Sequence, residues 1–122
     1  SAYCVSKIAL IKMCELIDDE YLDLKPFIIG PGFVKTKTHY ETLNAGLKAE
    51  KNFKRVKEFM ESKSQGTKFE DIYKCIRWGM SKSKKVISGR NFSVVHDDWN
   101  SKSLELSLKN DTNMYKLRRY KN

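Results

Sequence analysis

The chain predicts an α/β fold in which about two parallel strands are joined by a helical crossover and flanked by further helices. Three observations carry that prediction. Apolar residues recur at helical spacing from about Tyr3 to Tyr21, with Ile8, Ile11 and Leu16 among them. A short β-rich run, Phe27-Ile28-Ile29, stands between Pro26 and Gly30. A second run, Phe92 to Val95, follows after an interval filled with helical patterns. Parallel neighbours need such a crossover, because a strand that returns in the same direction cannot use a tight hairpin.

The first helix closes in the solvated stretch Asp18-Asp19-Glu20, and Pro26 bars any continuation. Phe27 to Ile29 then reads as a short interior strand, its unbroken apolar run matching a parallel sheet covered on both faces. Gly30-Pro31-Gly32 breaks the strand and lets backbone approach a ligand. From Lys37 to about Lys63 the pattern is helical but polar, with a narrow stripe of Phe53, Val56, Phe59 and Met60, and Ser62 to Gly66 reads as a turn. Thr67-Lys68-Phe69-Glu70 fits a capping box that opens a helix through Ile72, Tyr73, Ile76 and Trp78, expected to stop near Gly79. Lys82 to Lys85 reads as a basic loop, and Val86-Ile87 leads through Gly89 into the second strand. After Trp99, Leu104, Leu106 and Leu108 keep a weak periodicity before a turn from Asn110 to Asn113. No internal repeat or low-complexity linker divides the chain.

A length of 122 residues fits one domain. No apolar run approaches the ~18 residues of a membrane span, and the chain opens directly in the Tyr3 helix without a signal-like leader. Cys4, Cys14 and Cys75 are odd in number, far apart and without a Cys-x-x-Cys, which argues against a disulfide framework or a zinc site. A cytoplasmic location is the expectation, with no membrane and no metal. The net charge of +9 raises the alternative of a small basic module that binds nucleic acid or an acidic partner without catalysis. Its densest groups are Lys48 to Lys57, Lys82 to Lys85 and Arg118-Arg119-Tyr120-Lys121. Around Phe53, Val56 and Phe59 the charges interleave with apolar residues at helical spacing, as on a solvated helix face. No zinc-finger, RNP or bZIP pattern is present, so a nucleic-acid surface is not the first expectation.

Tyr3 and Lys7 are the candidate chemical pair. Standing four residues apart, they stack a phenol and an ammonium on one face of one helical turn. A fixed cation beside a phenol favours its phenolate, and such a pair can give a proton to a carbonyl or take one from an alcohol.

With its small residues around Tyr3 and the apolar Ile8-Ala9-Leu10-Ile11 after Lys7, the stretch from Ser1 to Leu16 resembles the active-site helix of the short-chain dehydrogenase/reductase family. Pro31-Gly32-Phe33-Val34-Lys35-Thr36 is similar to the segment of that family beneath the nicotinamide, and Lys85 to Val94 is similar to its last Gly-containing turn and strand. The resemblance covers the chain to about Trp99. It implies the C-terminal half of a Rossmann-type doubly wound parallel sheet, with residues 1–122 as one partial domain, 38–66 as the substrate-covering region and 100–122 as a tail. It further implies an alcohol/carbonyl oxidoreductase using NAD or NADP on a small-molecule substrate. Tyr3 would exchange the proton and Lys7 would bind the nicotinamide ribose, while Pro31, Gly32, Val34 and Thr36 would line the nicotinamide side. Gly30 stands where the family often has a polar residue. His96 to Trp99 and Met114 to Arg119 resemble tails of family members from bacterial surface-polysaccharide synthesis, implying a sugar-related substrate.

The resemblance also marks what is missing. No Gly-x-Gly-x-x-Gly or Gly-x-x-x-Gly-x-Gly occurs here, so the phosphate-binding half of the fold is expected elsewhere. The isolated chain is therefore expected to be inactive, and the full-length protein to be a homo-oligomer. In the substrate-covering region His39 is expected at the surface and Tyr40 in the core. Neighbouring strand residues point to alternate faces, so His96-Asp97-Asp98-Trp99 reads as a strand end with Trp99 packed on the body.

Overall fold

The computed structural model describes residues 1–62 and 66–119, leaving aside the side chains of residues 47 and 49–52. Helix α1 (Ala2–Glu20) is opened by Ser1, whose hydroxyl accepts from the Cys4 amide, and ends before Pro26. Strand β1 (Phe27–Gly30) follows, then α2 (Lys37–Ala45), a 3-10 turn (Gly46–Ala49) and α3 (Glu50–Glu61). Helix α4 (Phe69–Ser81) and the single turn α5 (Lys84–Ile87) lead into β2 (Arg90–Ser93), and α6 (Lys102–Asn110) closes the order.

The expected parallel pair is formed. Phe27 stands opposite Arg90 and the register runs to Gly30 opposite Ser93. Bonds from the Gly89 amide to the Pro26 carbonyl (2.7 Å) and from the Val94 amide to the Gly30 carbonyl (3.0 Å) extend the ladder at both ends. The far side of β2 is covered by the tail, through the Asn91 amide and the Tyr115 carbonyl. β1 is half-buried and pairs with β2 alone among the described residues, so it is an edge here and not the interior strand its composition predicts.

Phe92 is the centre of the core. It is fully buried, with Trp78 and Tyr115 packed edge-on at 5.3 Å and 5.4 Å between ring centroids. Val86, Ile87, Leu104 and Leu108 complete the buried cluster. Arg90, the register partner of Phe27, turns its guanidinium inward and donates to the carbonyls of Leu108 (2.8 Å) and Asp111 (3.1 Å) and to that of Met114. Burial pushes the pKa of this guanidinium down, and carbonyl oxygens accept hydrogen bonds from its two terminal nitrogens.

Carboxylates fasten α1 to the tail. Glu15 accepts from Lys12 (2.9 Å), from the Leu117 amide and from the Arg118 guanidinium. Asp18 accepts from Lys84 (2.7 Å) and Lys116 (3.4 Å). Burial alone would raise both carboxyl pKa values, but these partners outweigh it and hold both below the ordinary range.

Several boundaries differ from the expectations. The long polar helix is split at Gly46, whose φ of +55° cannot continue a right-handed turn. The Thr67 cap is not formed: Lys68 occupies the cap position without a side-chain bond, because the Thr67 amide is drawn to the Phe33 carbonyl at 2.8 Å. Gly79 does not end α4 but lies buried inside it, where the ring of Phe27 occupies the space of a side chain. The basic loop is partly the helix α5, and β2 starts at Arg90, leaving Val94 and Val95 beyond its end. The tail holds a full helix, with Leu104 and Leu108 buried. Residues 63–65 of the turn expected between Ser62 and Gly66 lie outside the described residues.

Candidate functional site

Tyr3 and Lys7 sit on the first turns of α1, with the Lys7 ammonium 5.3 Å from the centre of the Tyr3 ring. Tyr3 is 64% exposed, and every residue from 1 to 10 is exposed. Neither side chain has a hydrogen bond, ion pair or ring contact to Pro31 through Thr36 among the described residues. The pair itself is assembled by helix geometry alone, since one turn of helix brings positions i and i+4 together.

β1 runs directly into Pro31 and Gly32 at its carboxyl end. Gly32 has φ +78°, and a Cβ there would lie 2.7 Å from Val95 Cγ2 and 2.8 Å from Thr67 Oγ1. The turn is thus wedged against the segment that leaves β2, and only a residue without a side chain fits. Val34 is buried and forms an antiparallel bridge with Gly66. Thr36 opens α2: its amide donates to His39 Nδ1 at 3.4 Å, and its hydroxyl oxygen lies 3.3 Å from the same nitrogen. His39 is not the surface residue expected. It is half-buried, with Phe33 and Phe59 at 5.8 Å and 5.5 Å, while Tyr40 is exposed instead of buried.

Beyond the carboxyl ends of β1 and β2 the structure holds a half-open cleft of about 760 Å³. Phe33, Phe59 and Trp99, with Val94 and Val95, form its apolar walls. Trp99 is positioned as expected, its indole N–H donating to the Val94 carbonyl at 3.2 Å and its ring 5.9 Å from that of Trp78. Ligands bind outside the carboxyl ends of parallel strands in open α/β sheets, and the cleft occupies that position. Sequence reasoning missed it, because its walls come from five separated segments and share no spacing.

Part of the basic charge is paired among the described residues. Lys82 pairs with Glu105 at 2.6 Å, Lys84 with Asp18, and Arg118 with Glu15. With Lys109 added, the cations beside Glu105 hold its carboxyl down to about 2. Of the third group, Tyr120 and Lys121 lie outside the described residues, as does the side chain of Lys51 in the first. The described residues contain no cluster of three or more His, Cys, Asp or Glu that could hold a metal. Cys75 is fully buried, and burial with Asp97 nearby pushes its thiol up to about 11. No described helix is long and apolar enough to cross a membrane. No family model, curated protein or solved structure matches the chain.

Proposed function

We propose that this chain carries the proton-transfer half of an NAD(P)-dependent oxidoreductase of the short-chain type, interconverting an alcohol and a carbonyl. Support comes first from the Tyr3–Lys7 pair, whose ammonium and phenol ring share one face of α1, the ammonium 5.3 Å from the ring centre. A second support is the path of α1. Its second half is fastened beside Gly89, just before β2, and a short loop joins it to the start of β1. For Tyr3 to reach the turn at Pro31 and Gly32, the first turns of α1 have to lie back along the sheet toward the carboxyl end of β1.

In this reading Tyr3 exchanges a proton with the substrate oxygen, and Lys7 donates to ribose hydroxyls. The nicotinamide cofactor, when bound, supplies the hydride. The residues present fit one half of it. Pro31 and Gly32 are exposed, which leaves backbone open to a ring, whereas the Thr36 hydroxyl is engaged by His39 and would have to be released. Nothing here offers the Gly-rich turn that receives the diphosphate, so a second half of the fold, joined along the open edge of β1, supplies it. The substrate is a small alcohol or carbonyl compound, with a sugar derivative as the specific expectation, and the site of action is the cytoplasm.

In a protein that contains both halves, Tyr3→Phe is expected to lower turnover by ~10²–10⁴-fold while leaving cofactor binding intact, because only the proton is lost. Lys7→Ala is expected to impair both. Steady-state kinetics beside a fluorescence titration of NAD(P)H checks this, and near-normal turnover in Tyr3→Phe would end the assignment.

A further inference from the structure

The cleft beyond the strands is not part of the Tyr3–Lys7 pair, and neither residue lines it. Its chemistry has two components. One is aromatic: Phe33 and Phe59 pack at 5.1 Å between ring centroids, and Trp99 stands on the same lining. The other is cationic. Lys68 and Lys74 lie on the lining, the Lys35 ammonium is 5.8 Å from the Phe59 ring, and the Arg55 guanidinium is 5.7 Å from the Phe33 ring. Opposing them are Asp71 on the lining and Glu70, which pairs with Lys74 at 2.8 Å. Lys68 and Arg55 have no ion pair among the described residues, so the local balance is positive beside an aromatic surface.

A purely apolar occupant would gain nothing from the cations, and a bare anion would gain nothing from the rings. Asp71 adds a carboxylate that accepts from hydroxyls, and Asn100 adds an amide that both donates and accepts. We propose that the cleft binds a nucleoside diphosphate, alone or as part of a larger ligand. The base lies against Phe33, Phe59 and Trp99, the ribose hydroxyls meet Asp71 and Asn100, and Lys68 and Lys74 receive the phosphates. The volume of about 760 Å³ lies within the range of roughly 300–1,000 Å³ usual for small-molecule sites.

Calorimetric titration of the chain with ADP, UDP, inorganic phosphate and a short single-stranded oligonucleotide tests the proposal. Both diphosphates are expected to bind, and inorganic phosphate to bind about tenfold more weakly or less, since it cannot use the rings. Lys68→Glu, and separately Lys74→Gln, should each weaken ADP by about tenfold, with circular dichroism confirming that the variants are folded. Lys102→Glu on α6, which is not on the cleft lining, should leave ADP unchanged. Absence of binding by both diphosphates, inorganic phosphate as tight as ADP, equal loss in Lys102→Glu, or binding by the oligonucleotide alone would each overturn it. Because the readout is binding without turnover, its failure leaves the redox reading standing, and failure of that reading leaves the cleft.

Discussion

At the scale of single residues, the constraints are steric before they are chemical. Gly66 has φ +72°, and a Cβ there would collide with the Phe33 carbonyl that its own segment bonds. Gly66→Ala is therefore expected to destabilise by about 1–3 kcal/mol, the cost of holding a side chain in strained backbone, read as a lower urea midpoint with unchanged slope. A residue scale also explains the difference between Tyr3 and Cys75. Tyr3 is open to solvent, whereas Cys75 is sealed and its thiol is held protonated by burial. Tyr3 with Lys7 was legible in the sequence because a four-residue spacing is a local property of helices. His39 was not, because its neighbours Phe33 and Phe59 belong to other segments.

At the scale of elements, burial decides what propensity leaves open. In α6, Leu104 and Leu108 face the core four residues apart while Leu106 is exposed, so the three leucines of one weak pattern play different parts. Leu108→Ala is expected to cost about 2–5 kcal/mol, whereas Leu106→Ala should stay within about 0.5 kcal/mol, measured by chemical denaturation. Similar losses in both would mean that α6 packs differently. The same reasoning accounts for α4 running through Gly79. A glycine ends a helix when its backbone turns left-handed, but here the missing side chain makes room for Phe27.

At the scale of the whole molecule, α1 and the tail are joined by ionised carboxylates, and this makes stability depend on pH. Glu15 and Asp18 titrate below their ordinary range when folded, so the unfolded chain binds more protons in acid. Their contribution is complete above the ordinary carboxylate pKa and is lost as pH falls through the depressed folded values. The melting temperature should therefore drop between about pH 5 and about pH 3, and Glu15→Gln should flatten that profile. A profile unchanged by Glu15→Gln would show that the Arg118 contact does not hold the tail. Large apolar side chains are left exposed along α1, among them Val5, Ile8 and Met13.

By itself the sequence determined what depends on near neighbours: the α1 and β1 elements, the breaks at Pro26 and after Gly30, the pairing of Tyr3 with Lys7 and the helical crossover that makes two strands parallel. Those follow from periodicity and backbone sterics within a few residues. Only the tertiary structure decided the rest. It turned Arg90 inward onto distant carbonyls, moved Thr67 from a helix cap to the Phe33 carbonyl, bound Glu15 and Asp18 to the tail and opened the aromatic cleft. Each of these depends on groups far apart in the chain, brought together by burying Phe92 and its neighbours, and no local pattern encodes such a meeting.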